Sequence, residues 1–154
     1  MLQNWFPVIK KRKGIDFEDT DTQYMKDFKD SSYDFIYSSH TLEHMKNVEE
    51  ALFNWVRLLK KDGNLILYIP DRDLYEKKLE LPSKWNDDHK HFFTMYEQDE
   101  KSNATIAIIP FIKKKFKNLN LIYSKRCNFG WEPSGPEVYP KGEYSIELVY
   151  KKLF

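Results

Sequence analysis

A strand–helix–strand pattern between residues 33 and 71 constrains the fold of this chain most. Residues 33–37 (YDFIY) are aromatic or β-branched around one aspartate, and the run stops at Ser38 and Ser39, as a buried parallel strand stops at a polar loop. A second apolar run, residues 64–69, closes at Pro70. Between them, apolar residues recur with the period of an α-helix: Val48, Ala51, Leu52, Trp55, Val56 and Leu59. Two strands joined by such a crossover form a right-handed βαβ unit, so the sequence predicts a parallel pair.

Residues at both ends of this helix match the preferences of helix caps. Asn47 is a suitable N-cap, and Glu50 stands three residues later, at the position of a capping-box acid. At the other end, Lys60 and Lys61 precede Gly63. Cations favour a helix C-terminus and glycine favours left-handed backbone, so we expect the helix to stop at a left-handed Gly63.

The whole stretch resembles the second half of a class I, Rossmann-like S-adenosylmethionine-dependent methyltransferase. The features that carry the resemblance occur in the family's order: Asp34, the Ser38-Ser39 loop, Leu42-Glu43-His44, the helix end Arg57-Leu58-Leu59-Lys60, Gly63 and Pro70-Asp71. The resemblance implies an α/β fold with a shortened Rossmann-like methyltransferase sheet, mostly parallel, and an antiparallel C-terminal hairpin. It also implies a single methyltransferase-like domain over residues 1–154.

The resemblance implies S-adenosylmethionine as the cofactor. Ser38, Ser39 and His40 follow the first strand, and ligands of open α/β sheets bind at the carboxyl ends of parallel strands. The resemblance also places Asp21 and Thr22 where the family has an aspartate that binds the adenine amino group, with Asp19 as the second match. A simple Asp/Thr turn or helix N-cap explains Asp21 equally well.

The glycine-rich cofactor loop of the family has no counterpart in this sequence. The five glycines stand at positions 14, 63, 130, 135 and 142, and no two form Gly-x-Gly. The chain therefore resembles the family from about its third strand onward. Without the family's first strand, residues 33–37 would have an apolar edge. We expect residues 13–18, a homodimer or a partner chain to cover that edge.

Histidines supply the candidate catalytic residues. His89 and His91 alternate, so on a strand they would share a face with Asp87. Such a His/Asp pair would act as a general base on an acceptor hydroxyl or bind a metal; anchoring a lid is an equally good interpretation. His44, next to Glu43, would lie near the substrate entrance or orient the loop, and a purely structural histidine explains it equally well. The resemblance implies a small-molecule or glycan acceptor, and the sequence assigns no metal ligand to the methyltransferase site.

Two alternatives to a methyltransferase remain open from the sequence. The first is a catalytically inactive relative that serves as a binding or assembly subunit, because the glycine loop is not found. The second is a zinc hydrolase, because His40, Glu43 and His44 spell H-x-x-E-H, which on a helix places both histidines on one face.

Charge and composition exclude several other classes of function. Lys and Arg number 25 against 24 Asp and Glu, which argues against a nucleic-acid binder. The basic residues at 10–13 are best explained as a solvated turn. No apolar run reaches the ~20 residues that span a bilayer. One cysteine, Cys127, fits a reducing compartment, so we expect a cytoplasmic protein that needs no membrane.

The remaining segments predict scaffold. Residues 103–116 favour a helix bent at Pro110, although a strand before the proline is the alternative. Residues 119–125 predict a strand, and residues 127–142 a long loop rich in glycine and proline. Residues 144–150 alternate between apolar and other side chains, which indicates a half-buried strand antiparallel to its neighbour.

Overall fold

The computed structural model describes residues 21–97 and 102–154 of the 154-residue chain. Its elements occur in this order: β1 Tyr33–Ser39, a 3₁₀ turn Leu42–His44, α1 Val48–Leu58, β2 Leu59–Pro70, β3 Phe92–Thr94, β4 Thr105–Ala107, α2 Ile108–Lys115, β5 Leu119–Cys127 and β6 Ser145–Lys152. The loop between β5 and β6 is long, as the sequence predicts.

A four-stranded mixed sheet organises the described residues. Its order is β1-β2-β6-β5. β1 and β2 are parallel, with Ser38 opposite Leu67 and Ser39 opposite Tyr68, which confirms the predicted βαβ unit. β6 lies between β2 and β5 and is antiparallel to both. The predicted α/β class and the antiparallel C-terminal hairpin are therefore confirmed. β3 and β4 form a second, two-stranded parallel sheet.

The helix α1 begins and packs as its sequence predicts. The side chain of Asn47 accepts a hydrogen bond from the Glu50 backbone N–H at 3.1 Å, which satisfies one of the free donors of the first turn. Its apolar stripe is buried against the sheet. The core contributed by β2 and β6 consists of Leu59, Leu65, Leu67, Ile69, Ile146, Leu148 and Tyr150. Each fully buried leucine or isoleucine contributes about 1.5–3 kcal/mol relative to an exposed one.

The predicted role of Gly63 as a left-handed helix stop is wrong. The helix ends at Leu58 and the extended Leu59 caps it, while the left-handed residue is Asp62, with a φ of 63°. Gly63 lies within β2 for another reason. A Cβ there would stand 3.0 Å from the carbonyl oxygen of Asp34, so a larger residue would push β1 and β2 apart at the start of their pairing.

The segment around Pro110 differs from the favoured prediction of one bent helix. β4 occupies Thr105–Ala107 and α2 begins directly after it at Ile108. Pro110 is the third residue of α2, where its missing N–H has no partner to lose within the helix. The strand before the proline, which the sequence left as the alternative, is therefore the correct interpretation.

β1 stands at one end of the four-stranded order. The predicted pairing of residues 13–18 with this edge, and the basic cluster at 10–13, lie outside the described residues. Within residues 21–97 and 102–154, no helix has the length and apolar character needed to cross a membrane.

Candidate functional site

The carboxyl ends of β1 and β2 meet at one edge of the sheet and place the predicted cofactor-binding residues there. Ser38 and Ser39 are the last residues of β1. The His40 N–H donates to the carbonyl of Tyr68 on β2 at 2.8 Å, which extends the parallel pairing by one bond. The Ser38 hydroxyl is buried and has no hydrogen-bond partner among the residues that the structure describes. A buried polar atom without a partner is unusual, and it marks this edge as a place for a polar ligand.

His40 turns the chain sharply away from β1. Its φ is 47°, the left-handed region that non-glycine residues rarely adopt. Its ring centroid lies 5.5 Å from that of Tyr68 and 6.1 Å from that of Tyr144. Its Nε2 atom lies 3.3 Å from the Ser145 hydroxyl on β6. Such strain often accompanies functional sites. The space outside the ends of β1 and β2, called the crevice below, is therefore bordered by aromatic rings and a few polar atoms.

Asp21 and Thr22 lie beside the N-terminal end of α1. The Asp21 carboxylate accepts from the Gln23 N–H at 3.0 Å, which is the turn that the sequence offered as the alternative. The carbonyl of Thr22 accepts from the Trp55 indole N–H at 2.7 Å, and its hydroxyl lies 3.9 Å from the Met45 sulfur. Because α1 follows the loop after β1, this segment stands near that loop. An adenine-binding role for Asp21 and Thr22 stays a prediction.

The helix that the zinc-hydrolase interpretation needs does not form. Within residues 40–44, only Leu42–His44 is helical, as one 3₁₀ turn, and the left-handed His40 lies outside that turn. His40 and His44 are therefore not one α-helical turn apart on a common face. The 3₁₀ turn instead buries Glu43 completely and turns His44 toward the segment that precedes β3.

Glu43, His44 and His89 form a compact cluster, referred to below as the Glu43 cluster. The Glu43 Oε1 atom lies 3.9 Å from His44 Nε2 and 4.0 Å from His89 Nε2. The two histidine ring centroids are 4.9 Å apart. The structure thus brings together two of the three histidines that the sequence predicts as catalytic.

Two carboxylates fix the histidines of the Glu43 cluster. Asp88 lies 2.9 Å from His44 Nδ1, and the buried Glu76 lies 2.7 Å from His89 Nδ1. The other Glu76 oxygen accepts from the Ser83 hydroxyl at 2.7 Å. Nothing in the sequence indicated the Glu76 contact, because the partner of His89 was expected to be Asp87.

The predicted face shared by Asp87, His89 and His91 does not exist. β3 begins at Phe92, and the His89 N–H bonds back to the Asn86 carbonyl at 3.1 Å, in a turn. Burial lowers the pKa of His91, and the neighbouring backbone of Lys46 and Met45 offsets only part of that effect. A catalytic role for His91 stays a prediction, and the structure places its ring outside the Glu43 cluster.

A groove of about 500 Å³ lies beside the turn that follows β2. The buried Asp71 holds this turn, because its carboxylate accepts from the N–H groups of Asp73 and Leu74 and from Arg126 on β5. Trp131 lies on the opposite wall and donates its indole N–H to the Leu74 carbonyl at 3.1 Å. The groove is lined by Asp73, Lys77, Lys78, Leu79, Trp131, Pro133, Ser134 and Pro136.

Comparisons with known proteins agree with this arrangement. The sequence profile described as "Methyltransferase domain" matches residues 4–67. A candidate methyltransferase from Bacillus halodurans superposes with a TM-score of 0.57 at 13% identity, over 88% of this chain and 71% of that one. The chain has the class I methyltransferase fold. A candidate S-adenosylmethionine-dependent methyltransferase from Listeria monocytogenes gives a TM-score of 0.54 at 10% identity, over 88% and 68% of the two chains.

A further methyltransferase structure matches at similar distance. It is an S-adenosylmethionine-dependent methyltransferase from Methanosarcina mazei, with a TM-score of 0.51 at 13% identity, covering 88% of this chain and 66% of that one. No curated protein matches the sequence. The profile match includes β1, α1 and most of β2, so it covers the methyltransferase-like βαβ unit that carries Ser38, Ser39 and His40.

Proposed function

We propose that this methyltransferase-like protein binds S-adenosylmethionine and transfers its methyl group to a small-molecule or glycan acceptor. One observation carries the proposal. β1 and β2 are parallel neighbours, and Ser38, Ser39 and His40 stand where these two strands end. In open α/β sheets, ligands bind in the crevice outside the carboxyl ends of the strands.

The residues at this edge fit a polar cofactor with an apolar purine ring. The buried Ser38 hydroxyl has no partner in the described part of the chain, and a ligand hydroxyl or amine would satisfy it. His40 and Tyr68 provide aromatic surface beside it. On the other side, Thr22 lies close to Met45, so the segment with Asp21 is suitably placed for the adenine. The cofactor supplies the reactive methyl group, and the protein has to hold donor and acceptor in line.

The groove between the turn after β2 and Trp131 is the site that we propose for the acceptor. It combines an indole ring with charged side chains such as Asp73 and Lys77, a lining that suits a polar small molecule or a sugar. The rings of Tyr75, in the turn after β2, and Tyr144 are 4.8 Å apart, and the Tyr144 ring lies 6.1 Å from that of His40. Burial raises the pKa of both phenols. Both therefore stay protonated, and we assign them a packing role and not that of a general base.

Where the acceptor has to lose a proton, we propose that a histidine of the Glu43 cluster accepts it. His44 is the more accessible of its two histidines, with 25% of its side chain exposed against 4% for His89. A base is needed only where the acceptor must lose a proton to become nucleophilic. We therefore assign His44 to the acceptor side, with His89 behind it.

A partner chain at the edge of β1 is part of the proposal. A candidate methyltransferase from Haloferax volcanii, solved in complex with the Trm112 methyltransferase activator, superposes with a TM-score of 0.52 at 12% identity, over 91% of this chain and 65% of that one. By analogy, a second copy or another protein would pair with β1. Sedimentation equilibrium of the purified chain distinguishes a dimer from a monomer that awaits a different partner.

Titration calorimetry with S-adenosylhomocysteine tests the cofactor proposal. We expect binding by the wild-type protein and weaker binding by Ser39→Ala and His40→Ala, because both residues stand at the crevice. Ser32→Ala is the matched control, since Ser32 immediately precedes β1 at the opposite end of the strand. No heat with any protein would favour the binding or assembly subunit, and equal affinity in all variants would place the cofactor elsewhere.

A further inference from the structure

We infer that Glu43, His44 and His89 bind one divalent transition-metal ion, of the Zn²⁺ class. The sequence left a zinc ion open for the set His40, Glu43 and His44, and a metal for Asp87 with His89 and His91, whereas the folded geometry brings His89 to Glu43 and His44. One carboxylate oxygen and one ring nitrogen from each histidine lie within 4.8 Å of one another. Metal–ligand bonds of about 2.0–2.2 Å would draw these atoms slightly together around a common centre.

Both histidines present the same nitrogen to the centre. Their Nδ1 atoms are held by carboxylates, Asp88 for His44 and Glu76 for His89. Their Nε2 atoms are the ones nearest Glu43, at 3.9 Å and 4.0 Å. A histidine that gives its Nδ1–H to a carboxylate keeps a free lone pair on Nε2. This is the usual arrangement of a metal-bound histidine, whose other ring nitrogen is fixed by a carboxylate.

Glu43 provides an independent reason to expect a cation. Its side chain is fully buried, and neither of its carboxylate oxygens has a hydrogen-bond partner among residues 21–97 and 102–154. A buried carboxylate without partners is costly, and here it faces two nitrogen lone pairs. Three electron donors that converge on one point are stable only around a positive charge, and a metal ion bonds to all three at once.

The ligand types select the class of metal. Two imidazoles and one carboxylate are the ligand set of open zinc sites, which keep a fourth position for water or substrate. Magnesium and calcium prefer sites made only of oxygen. His40 Nδ1 lies 3.6 Å from Glu43 Oε1, with 37% of the His40 side chain exposed. In the metal-bound form His44 is a ligand and no longer the base, and an acceptor hydroxyl bound at the fourth position of the metal would lose its proton more readily.

The ligands come from two separate segments that the backbone already joins. Glu43 and His44 belong to the 3₁₀ turn after β1, and His89 precedes β3. The Lys90 N–H donates to the Glu43 carbonyl at 2.8 Å. The site is therefore largely preformed, and its formation depends neither on S-adenosylmethionine nor on methyl transfer. Its test can fail or succeed independently of the proposed function.

Titration of the full metal-free chain with Co²⁺ alone, followed by competition with Zn²⁺, tests the inference. We expect one Co²⁺ per chain, the strong visible absorption of four-coordinate Co²⁺, and displacement by one equivalent of Zn²⁺. Glu43→Gln and His89→Gln should abolish that spectrum. His91→Gln is the control for loss of a histidine from the same segment, and circular dichroism checks that each variant is folded.

Two neighbouring surface aspartates, Asp87 and Asp88, provide the sharpest comparison, because replacing either one leaves the core unchanged. Asp88 holds His44, whereas its neighbour Asp87 is exposed and lies outside the Glu43 cluster. Asp88→Asn should weaken Co²⁺ binding about tenfold, as loss of a carboxylate behind a metal-bound histidine does, and Asp87→Asn should leave it unchanged. No binding by the wild-type chain, or binding that persists in Glu43→Gln and His89→Gln, would overturn the inference.

Discussion

Glu76 and His89 form a buried hydrogen-bonded pair across a separation of 13 residues, with 2.7 Å between Glu76 Oε1 and His89 Nδ1. The side chains are only 2% and 4% exposed. The pair joins the turn after β2 to the segment before β3, so it fixes the position of His89 relative to the sheet.

Replacement of Glu76 by leucine should destabilise the fold. The change would leave the His89 ring N–H and the Ser83 hydroxyl without their acceptor, and an unsatisfied buried donor costs about 1–3 kcal/mol. We expect the free energy of unfolding, measured by urea denaturation, to fall by about 2–4 kcal/mol. Glu80→Leu, at an exposed position four residues later, is the control and should change it little. Equal effects of the two changes would show that the pair contributes nothing to stability.

Loss of the Asn47 cap should destabilise α1 selectively. Its side-chain oxygen accepts from the Glu50 N–H at 3.1 Å, and replacement of such a cap by alanine costs about 1 kcal/mol. Asn47→Ala should lower the free energy of unfolding by that amount, whereas Asn128→Ala, in the exposed β5–β6 loop, should not. Native-state hydrogen exchange should show the extra opening in the first turn of α1, and uniform acceleration over the whole sheet would argue against a local cap.

Tyr150 predicts a dependence of stability on alkaline pH. Its ring is 2% exposed, and its hydroxyl has no hydrogen-bond partner within the two described ranges of the chain. Burial raises its pKa above the usual value of about 10. The folded chain therefore keeps this proton at a pH where the unfolded chain loses it. Stability from this group is full below about pH 10 and decreases as the pH rises further.

Tyr150→Phe should make that decrease shallower. The change removes a buried hydroxyl that makes no hydrogen bond, so at neutral pH the free energy of unfolding should stay equal or rise slightly. Urea denaturation at about pH 8 and about pH 10.5 measures both effects. Tyr123→Phe, at a residue that is 44% exposed, is the control. An unchanged slope in Tyr150→Phe would show that the hydroxyl titrates normally in the folded chain.

Local periodicity predicted the scaffold because the determinants of α1 and of the main strands are local. Asn47 and the apolar stripe after it determine where α1 starts and which face is buried. The end of α1 was predicted less well, because Gly63 was taken as its stop signal. A glycine is needed there because the Asp34 carbonyl approaches closely across the β1–β2 pairing. That contact exists only once the two strands are adjacent.

The candidate site was predictable only where its residues are neighbours in sequence. Ser38, Ser39 and His40 follow from the end of β1. The contacts of Glu76 with His89, and of Ser145 with His40 across a separation of 105 residues, depend on tertiary structure. The error about His91 has the same origin, since alternation of His89 and His91 predicted a strand and the Asn86 turn replaced it.

A nuclear magnetic resonance titration of the isotope-labelled full chain with S-adenosylhomocysteine tests the central claim most directly. That claim is a cofactor crevice where β1 and β2 end together. We predict shifts of the backbone amides of Ser38, Ser39 and His40, and smaller shifts at Thr22, with the amide of Ser32 unaffected. Saturating ligand that moves none of these amides, or that moves only residues at the other end of β1, would contradict the methyl-donor site.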